Sequence, residues 1–534
     1  MTAAKGHVFV VRGDLTSLVC DWWLLPSGTA VGDPGDVGQH FRHDDRVRNA
    51  ISRPEWRQCA PTYAERAVVL AEPDGGPGII AVHTGEHGSE SAEWFADALE
   101  AAATVALRHG GRFGPPRPLP LVAFPLLGTG AGGAAGRKGS VLEALLARAD
   151  AVAVRGIDLV LVLTNAGAYS AAQRLRSADP DRTRWAKSLD TTELALAETL
   201  AAYARAGKLV AFIGAGLGQA AGLPGWSDLL VTVGASAGIG PSQVEELKAM
   251  DPRDAGDVLQ QRLGGPEALD RELRKCFDSA TRGSLSHALL ASLPLHEAAT
   301  TNYDRLFETA WGAAISGPGP AARECVTVLP TQDAAHAQHW LLKLHGDVDD
   351  PKRKLVLSRD EYSRFEQAGG AVAGVLQAML LTRHLLIVGY GLRDETFHRI
   401  AHEVRDVRAS PVQTAMTISG GAGQQLGTAL LVTPPGLRHD VWKDDLKIVD
   451  LSGGGSADPA IAARRQDLLL DLVGSLAAPV ESYVLGPGWQ ELSDHGTDAE
   501  LRTALLALTT LAARLDEPIQ RSVREVLRRF GWES

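Results

Sequence analysis

The stretch KLVAFIGAGLGQAAGLPGW, Lys208 to Trp226, begins as a short apolar run and passes directly into Gly214, Gly216 and Gly218. An apolar run of this length ending at glycine reads as a buried strand entering a tight turn. Glycines at such a turn let backbone N–H groups approach a pyrophosphate, and the N-terminus of a following helix adds a favourable dipole. The dinucleotide fingerprint GxGxxG is not met, because Gln219 stands where the third glycine would be. On this segment alone, a plain glycine turn in an α/β sheet stays open beside a nucleotide-binding loop.

Working outward, three more strand-like runs end in polar or glycine residues. TTNYDRL (Thr300–Leu306) places Asn302 and Asp304 after one strand, LKLHGD (Leu342–Asp347) places His345 after another, and VGYGLRD (Val388–Asp394) does the same with Gly389 and Gly391. The carboxyl edge of an α/β sheet is where such folds bind ligands. Strands are expected at 208–214, 297–302, 339–346, 354–358, 384–390 and 446–451. Residues of about 225–290 carry helical patterns and are expected to form a helical insertion. The polar stretch 177–190 reads as a linker, and Asp190 with Glu193 reads as a capping box that opens the next helix.

Taken in order, GAG…GLPxW…TxNxD…KLHGD…GYGLRD resembles the sirtuin family, in particular the NAD-consuming branch of bacterial anti-phage defence proteins. The resemblance covers about 195–452. It implies a Rossmann-like domain that takes NAD+ as its substrate. By that likeness Gly214, Ala215 and Gly216 contact the pyrophosphate, with Gly218, Thr300 and Tyr390 in the same cofactor-binding set. Asn302 positions the nicotinamide ribose or a water, Asp304 holds the carboxamide, and His345 is the base acting on ribose hydroxyls. Gly389 and Gly391 line the adenosine end.

Two departures bear on the reaction. Deacylating sirtuins carry a four-cysteine zinc module after the histidine motif, whereas here the short turn DVDDPKR follows His345 and no cysteine follows Cys325. No metal is therefore expected. The family's phenylalanine–arginine pair is replaced by Trp226 and Ser227 in GLPGWSDLL. Water becomes the expected acceptor, and nicotinamide and ADP-ribose the products. A histidine, with an ordinary pKa of about 6.5, suits deprotonation of a hydroxyl at neutral pH. The alternatives are a sirtuin-type protein ADP-ribosyltransferase or deacylase, and a non-catalytic nucleotide receptor.

The first 175 residues alternate strand-like runs, at 8–11, 22–26, 78–82, 121–127 and 158–164, with helical patterns. GDLT, with Asp14, and FPLLGTGAGG (Phe124–Gly133) resemble the macro domain family, which binds ADP-ribose and related nucleotides. That likeness gives Asp14 the adenine contact and makes Gly128, Thr129, Gly130, Gly132 and Gly133 a phosphate loop. An ADP-ribose-like signalling nucleotide is its implied ligand. The asparagine-rich turn of many macro domains is replaced by LLPSGTA (Leu24–Ala30), which speaks against ADP-ribosyl hydrolysis and leaves ligand binding open; a scaffold domain with an inherited glycine loop is the alternative.

The whole chain is thus expected to be α/β: a macro-like α/β/α domain (1–175), a central sirtuin-type domain (190–455) and a C-terminal helical segment (460–534). Of its 534 residues, 45% are hydrophobic and 22% charged, as in soluble globular proteins. The net charge of −11 gives no general attraction for phosphate backbones, so nucleic acid is not an expected partner. The scattered cysteines and the short apolar start point to a cytoplasmic protein without disulfides, signal peptide or membrane span. The helical pattern over 498–531 is of a kind that joins copies of a chain, so a homo-oligomer is expected.

Overall fold

The computed structural model describes residues 5–532, except 28–40, 42–43, 53–65, 86–89, 131–132, 279, 320, 410–424, 455–457, 495 and 513. Runs buried on both faces make parallel strands, and here they form two sheets. The first contains β1 (Val8–Arg12), β2 (Trp22–Ser27), β3 (Ala67–Ala71), β4 (Gly78–His83), β5 (Leu121–Phe124) and β6 (Asp158–Leu163), in the order β1-β6-β5-β2-β4-β3. Only the edge strand β3 runs antiparallel.

The second sheet is parallel throughout. Its strands are β7 (Leu209–Ile213), β8 (Glu297–Thr300), β9 (Thr327–Leu329), β10 (Trp340–Lys343), β11 (His384–Val388), β12 (Gly427–Leu431) and β13 (Leu446–Asp450). The order is β13-β12-β11-β7-β8-β10-β9. From β7 the chain adds β8, places β9 at the far edge and fills β10 in between them, then returns to the other side of β7 to lay down β11, β12 and β13. The reversal falls between β7 and β11. In open α/β sheets a crevice opens there, outside the carboxyl ends of the strands.

Residues 354–358, expected as a strand, do not join the sheet. The Ser358 hydroxyl accepts from the Glu361 N–H, while the Glu361 carboxylate accepts from Leu357 N and Ser358 N at 2.9 and 3.0 Å. This capping box takes the backbone groups a ladder needs and starts the helix Arg359–Ala368. β9 and β12, which the sequence reading omitted, fill the sheet instead.

Alternation along the first sheet sorts its side chains onto two faces. Val8, Val10, Trp22, Leu24, Leu159 and Leu161 pack with the helices Ala92–His109 and Lys138–Ala153. The opposite face, with Phe9, Val11, Trp23, Leu25, Val160 and Val162, shares one core with Ala211, Ile213, Leu386 and Val388 of the second sheet. Between the sheets lie the helices Thr191–Arg205, Leu285–Ala291, Leu306–Ser316 and Pro459–Ala477.

Asp471, on the last of these helices, is fully buried. It accepts from Trp185 Nε1 at 2.8 Å, from Val10 N at 3.2 Å and from Arg176, and lies 2.8 Å from His7 Nε2. Burial works against its charge, but Arg176 and His7 outweigh burial and hold the carboxyl below the ordinary range.

A second seam joins the loop after β1 to the lead-in of helix Leu285–Ala291. Val19 N donates to Gly283 O at 2.9 Å and Gly283 N to Ser17 O at 2.8 Å. Arg282 donates to Thr16 O at 3.1 Å and pairs with Asp44 at 2.8 Å. The C-terminal helices Gly496–Ala512 and Glu517–Arg529 return to the first sheet's outer side, where Asp498 receives hydrogen bonds from Tyr483 (2.6 Å) and Arg174 (3.0 Å).

Candidate functional site

At the switch point the turns after β7 and β11 touch. Gly214 N donates to Val388 O at 3.0 Å and Gly216 N to Gly389 O at 2.8 Å. A Cβ on Gly214 would stand 2.6 Å from Gly389 O, and one on Gly216 would stand 2.9 Å from Gly389 Cα. Gly389, at φ +68°, could not carry a Cβ either, since it would lie 2.6 Å from Leu217 N. The glycines at 214 and 216, expected at the pyrophosphate, thus have an internal reason to be glycine, and their N–H groups already donate to the neighbouring turn.

A crevice of about 380 Å³ opens against these turns. Ala215, Gly218, Asn302, Asp304, His345, Gly389, Tyr390 and Gly391 all line it; Gly214, Gly216 and Thr300 do not. Thr300 serves the fold, its hydroxyl donating to Ile213 O at 3.0 Å and accepting from Asn302 N at 2.9 Å.

Asn302 Oδ1, His345 Nε2 and Tyr390 OH are buried on this lining, and none closes a well-aligned hydrogen bond among the described residues, although the Tyr390 hydroxyl lies against the Asp394 backbone N–H. Asn302 is fixed by its other end, Nδ2 donating to Gly214 O at 3.2 Å. His345 Nε2 lies 3.3 Å from Asp394 Oδ2, off the line of a hydrogen bond. The same carboxylate oxygen accepts from Tyr362 OH at 3.1 Å, and Oδ1 accepts from Phe397 N at the start of helix Glu395–Ala409. Tyr362 and Phe365 meet the His345 ring edge-on, with centroids 5.3 and 6.3 Å away. Burial, and then the Asp394 charge, push the Tyr362 hydroxyl well above its ordinary pKa, so it remains a donor.

Asp304 is held from behind. Its Oδ1 accepts from Leu306 N at 2.9 Å, and its carbonyl accepts from Lys343 Nζ at 2.6 Å. Lys343 is buried, 2.7 Å from Glu308 and 3.2 Å from Asp347. Burial opposes its charge, but the carboxylates outweigh it and raise its pKa above the ordinary value. His287 is buried too, and burial lowers its pKa to about 4 against the opposing pull of Asp304.

The sequence reading assigned no role to Tyr362, Asp394, Arg253, Phe277 or Trp226. Asp394 closes the motif VGYGLRD and was the most visible of them. Trp226, Leu229 and Phe277 bring apolar surface from the helical insertion, and Arg253, which pairs with Asp251 and Glu395, stands at the polar end.

Asp14, Gly128, Thr129, Gly130 and Gly133 lie past the carboxyl ends of strands in the first sheet. Asp14 follows β1, and its Oδ1 accepts from Thr16 N and Thr16 Oγ1 at 2.9 and 2.8 Å. Gly128, Thr129 and Gly130 follow β5, and β6 lies between β5 and β1 in the sheet. Gly128 and Gly133 both have φ +77°, and Thr129 Oγ1 donates to Leu126 O at 3.1 Å. Gly130 has open space around its Cβ direction, and Gly132 lies outside the described residues.

Residues 296–430 match the family of SIR2-like domains. The match runs from the approach to β8 into β12, so the SIR2-like region supplies Asn302, Asp304, His345 and Gly389, while the glycine turn after β7 precedes it. Among curated relatives, the NAD(+) hydrolase ThsA of Enterococcus faecium is 28% identical over 200 residues, 37% of this chain and 40% of that protein. The Bacillus cereus (strain MSX-D12) protein of the same name is 26% identical over 196 residues, 36% of this chain and 39% of its own. Defense-associated sirtuin 2 of Bacillus subtilis is 26% identical over 236 residues, 41% of this chain and 21% of its own. The chain spans about two fifths of the length of the two ThsA proteins. Among the described residues no cluster of three or more His, Cys, Asp or Glu is placed to hold a metal, and no helix is long and apolar enough to cross a membrane.

Proposed function

We propose that the crevice hydrolyses NAD+ to nicotinamide and ADP-ribose, and that the chain serves cellular defence, as the names of its relatives suggest. The observation that carries this reading is the convergence of the buried Asn302 Oδ1, His345 Nε2 and Tyr390 OH, none in a well-aligned hydrogen bond within the fold, on one crevice at the sheet's switch point. Buried polar groups ordinarily have well-made hydrogen bonds, so three under-satisfied ones around one cavity call for a polar ligand. In this reading residues 190–455 form the catalytic unit and 460–534 a helical segment. Asn302 orients the ribose or the water, Asp304 receives the carboxamide, and His345 takes a proton. The bond from ribose C1′ to the nicotinamide nitrogen breaks and its electron pair neutralises the ring. A water oxygen bonds to C1′, and the proton it loses passes to His345 and then to solvent. Groups fixed in advance around a developing charge need little reorganisation as it forms. The loop at 128–133, with Asp14, is in the same reading a site for an ADP-ribose-like nucleotide that sets the rate.

The test is incubation of the full chain with NAD+, with and without ADP-ribose and its cyclic forms, followed by chromatography and mass spectrometry. Free ADP-ribose is the expected product. Protein gaining the mass of ADP-ribose points to transfer instead, and NAD+ left intact under every condition overturns the reading.

A further inference from the structure

The segment that carries His345 is a wall between two cavities. His345 lines the crevice, whereas its neighbours Leu344 and Gly346 line a second cavity of about 540 Å³. The helix Arg359–Ala368 completes the wall. Tyr362 faces the crevice, and Glu361, Arg364 and Phe365 face the second cavity.

That cavity is positively charged in a chain whose net charge is −11. Its rim carries Lys352, Arg353, Lys354 and Arg364. The carboxylates on its lining are engaged in the fold: Asp347 accepts from Asp349 N at 3.0 Å and lies 3.2 Å from Lys343, and Glu361 serves the capping box. Lys354 pairs with Glu267 at 2.6 Å, and Arg353 lies 3.7 Å from Asp350. The side chains of Lys352 and Arg364 make no ion pair or hydrogen bond among the described residues. The floor between them is apolar, with Phe365, Val356, Val372 and Pro330. Unpaired cations around a concave, partly apolar site suit a phosphate chain, which takes charge-assisted hydrogen bonds, and the volume falls in the range of small-molecule sites.

We propose that this cavity binds a compact polyphosphate, free or carried on a nucleoside, and that its occupancy acts through the helix Arg359–Ala368 on His345. The binding stands on the cavity alone; the effect on rate rests on the reading of the crevice as the site of NAD+ hydrolysis.

The test is calorimetry on the full chain with sodium tripolyphosphate, and in a second arm with ATP free of divalent ions. Tripolyphosphate is expected to bind at one site and to weaken at least tenfold in the double variant Lys352→Glu/Arg364→Glu, whose ligand-free melting temperature stays unchanged. Tighter binding of ATP assigns the nucleoside to the apolar floor; equal binding assigns the site to the phosphate chain alone. No heat with tripolyphosphate, or heat unaltered in the double variant, overturns the site. Saturating tripolyphosphate is expected to change the rate of nicotinamide release at least threefold in the native chain and not in the double variant. An unchanged rate with intact binding overturns the coupling to His345 and leaves the site standing. Absence of any hydrolysis counts against the reading of the crevice, while calorimetry still decides the second cavity.

Discussion

Asn302 is held by the fold through Nδ2 and presents Oδ1 to the crevice without a partner, and His345 is wedged between Asp394 and the rings of Tyr362 and Phe365. Groups fixed in this way around a developing charge are each worth about 2–4 kcal/mol to a reaction. Asn302→Ala and His345→Ala are therefore expected to slow nicotinamide release roughly 100- to 1000-fold, with melting temperatures close to that of the native chain. Full turnover in either variant removes that residue from the chemistry. Tyr390 makes the sharper case. Its buried hydroxyl lies against the Asp394 backbone N–H without a well-aligned hydrogen bond, so Tyr390→Phe should leave the melting temperature of the ligand-free protein nearly unchanged and raise KM for NAD+. A lower melting temperature would show that the hydroxyl is satisfied within the fold. The residue types of this site were readable because each follows directly on an apolar run. Their partners were not, because Asn302 meets Gly214, and His345 meets Asp394, across long stretches of chain that no local pattern connects.

At the scale of elements, the turns after β7 and β11 lock together through glycine. Gly389→Ala puts a methyl 2.6 Å from Leu217 N at φ +68°, whereas Gly391→Ala meets its nearest atom, Arg393 Cγ, at 3.9 Å. The first is expected to lower stability by about 1–3 kcal/mol, read as a fall in the urea midpoint, and the second to leave it nearly unchanged. Equal effects would mean that the contact between the turns contributes nothing. The strands β7, β8, β10 and β11 were legible because burial on both faces gives a continuous apolar run with a glycine or polar stop. The run at 354–358 has the same apolar look, yet Ser358 and Glu361 turn it into a helix lead-in. That S-x-x-E spacing is itself a local signal and outweighs the apolar run. Short β12, which opens on Gly427, offered little to read.

For the whole molecule, the contacts that matter span hundreds of residues, and sequence periodicity carries no trace of them. Asp471 receives groups from 286 to 464 positions away. Asp471→Asn leaves Arg176 buried without its countercharge and is expected to cost about 3–5 kcal/mol, measured by denaturant unfolding of the full chain. The carboxyl is held below its unfolded pKa, which is about 3.9. Its stabilising contribution is complete above that value. It declines as the pH falls further, because the unfolded chain takes up a proton that the native state refuses. The native protein should therefore lose stability below about pH 4 more steeply than the variant, and parallel acid profiles would contradict this. The common core also bears on how such chains can be recombined. One face of the first sheet is roofed by helices from beyond residue 190, and its 16–19 loop is stitched to Gly283. Replacing the N-terminal third with a foreign receptor would leave that roof without its sheet and cut those stitches, so a transplanted module has to bring a matching face, in the way a keystone must be recut for a different arch.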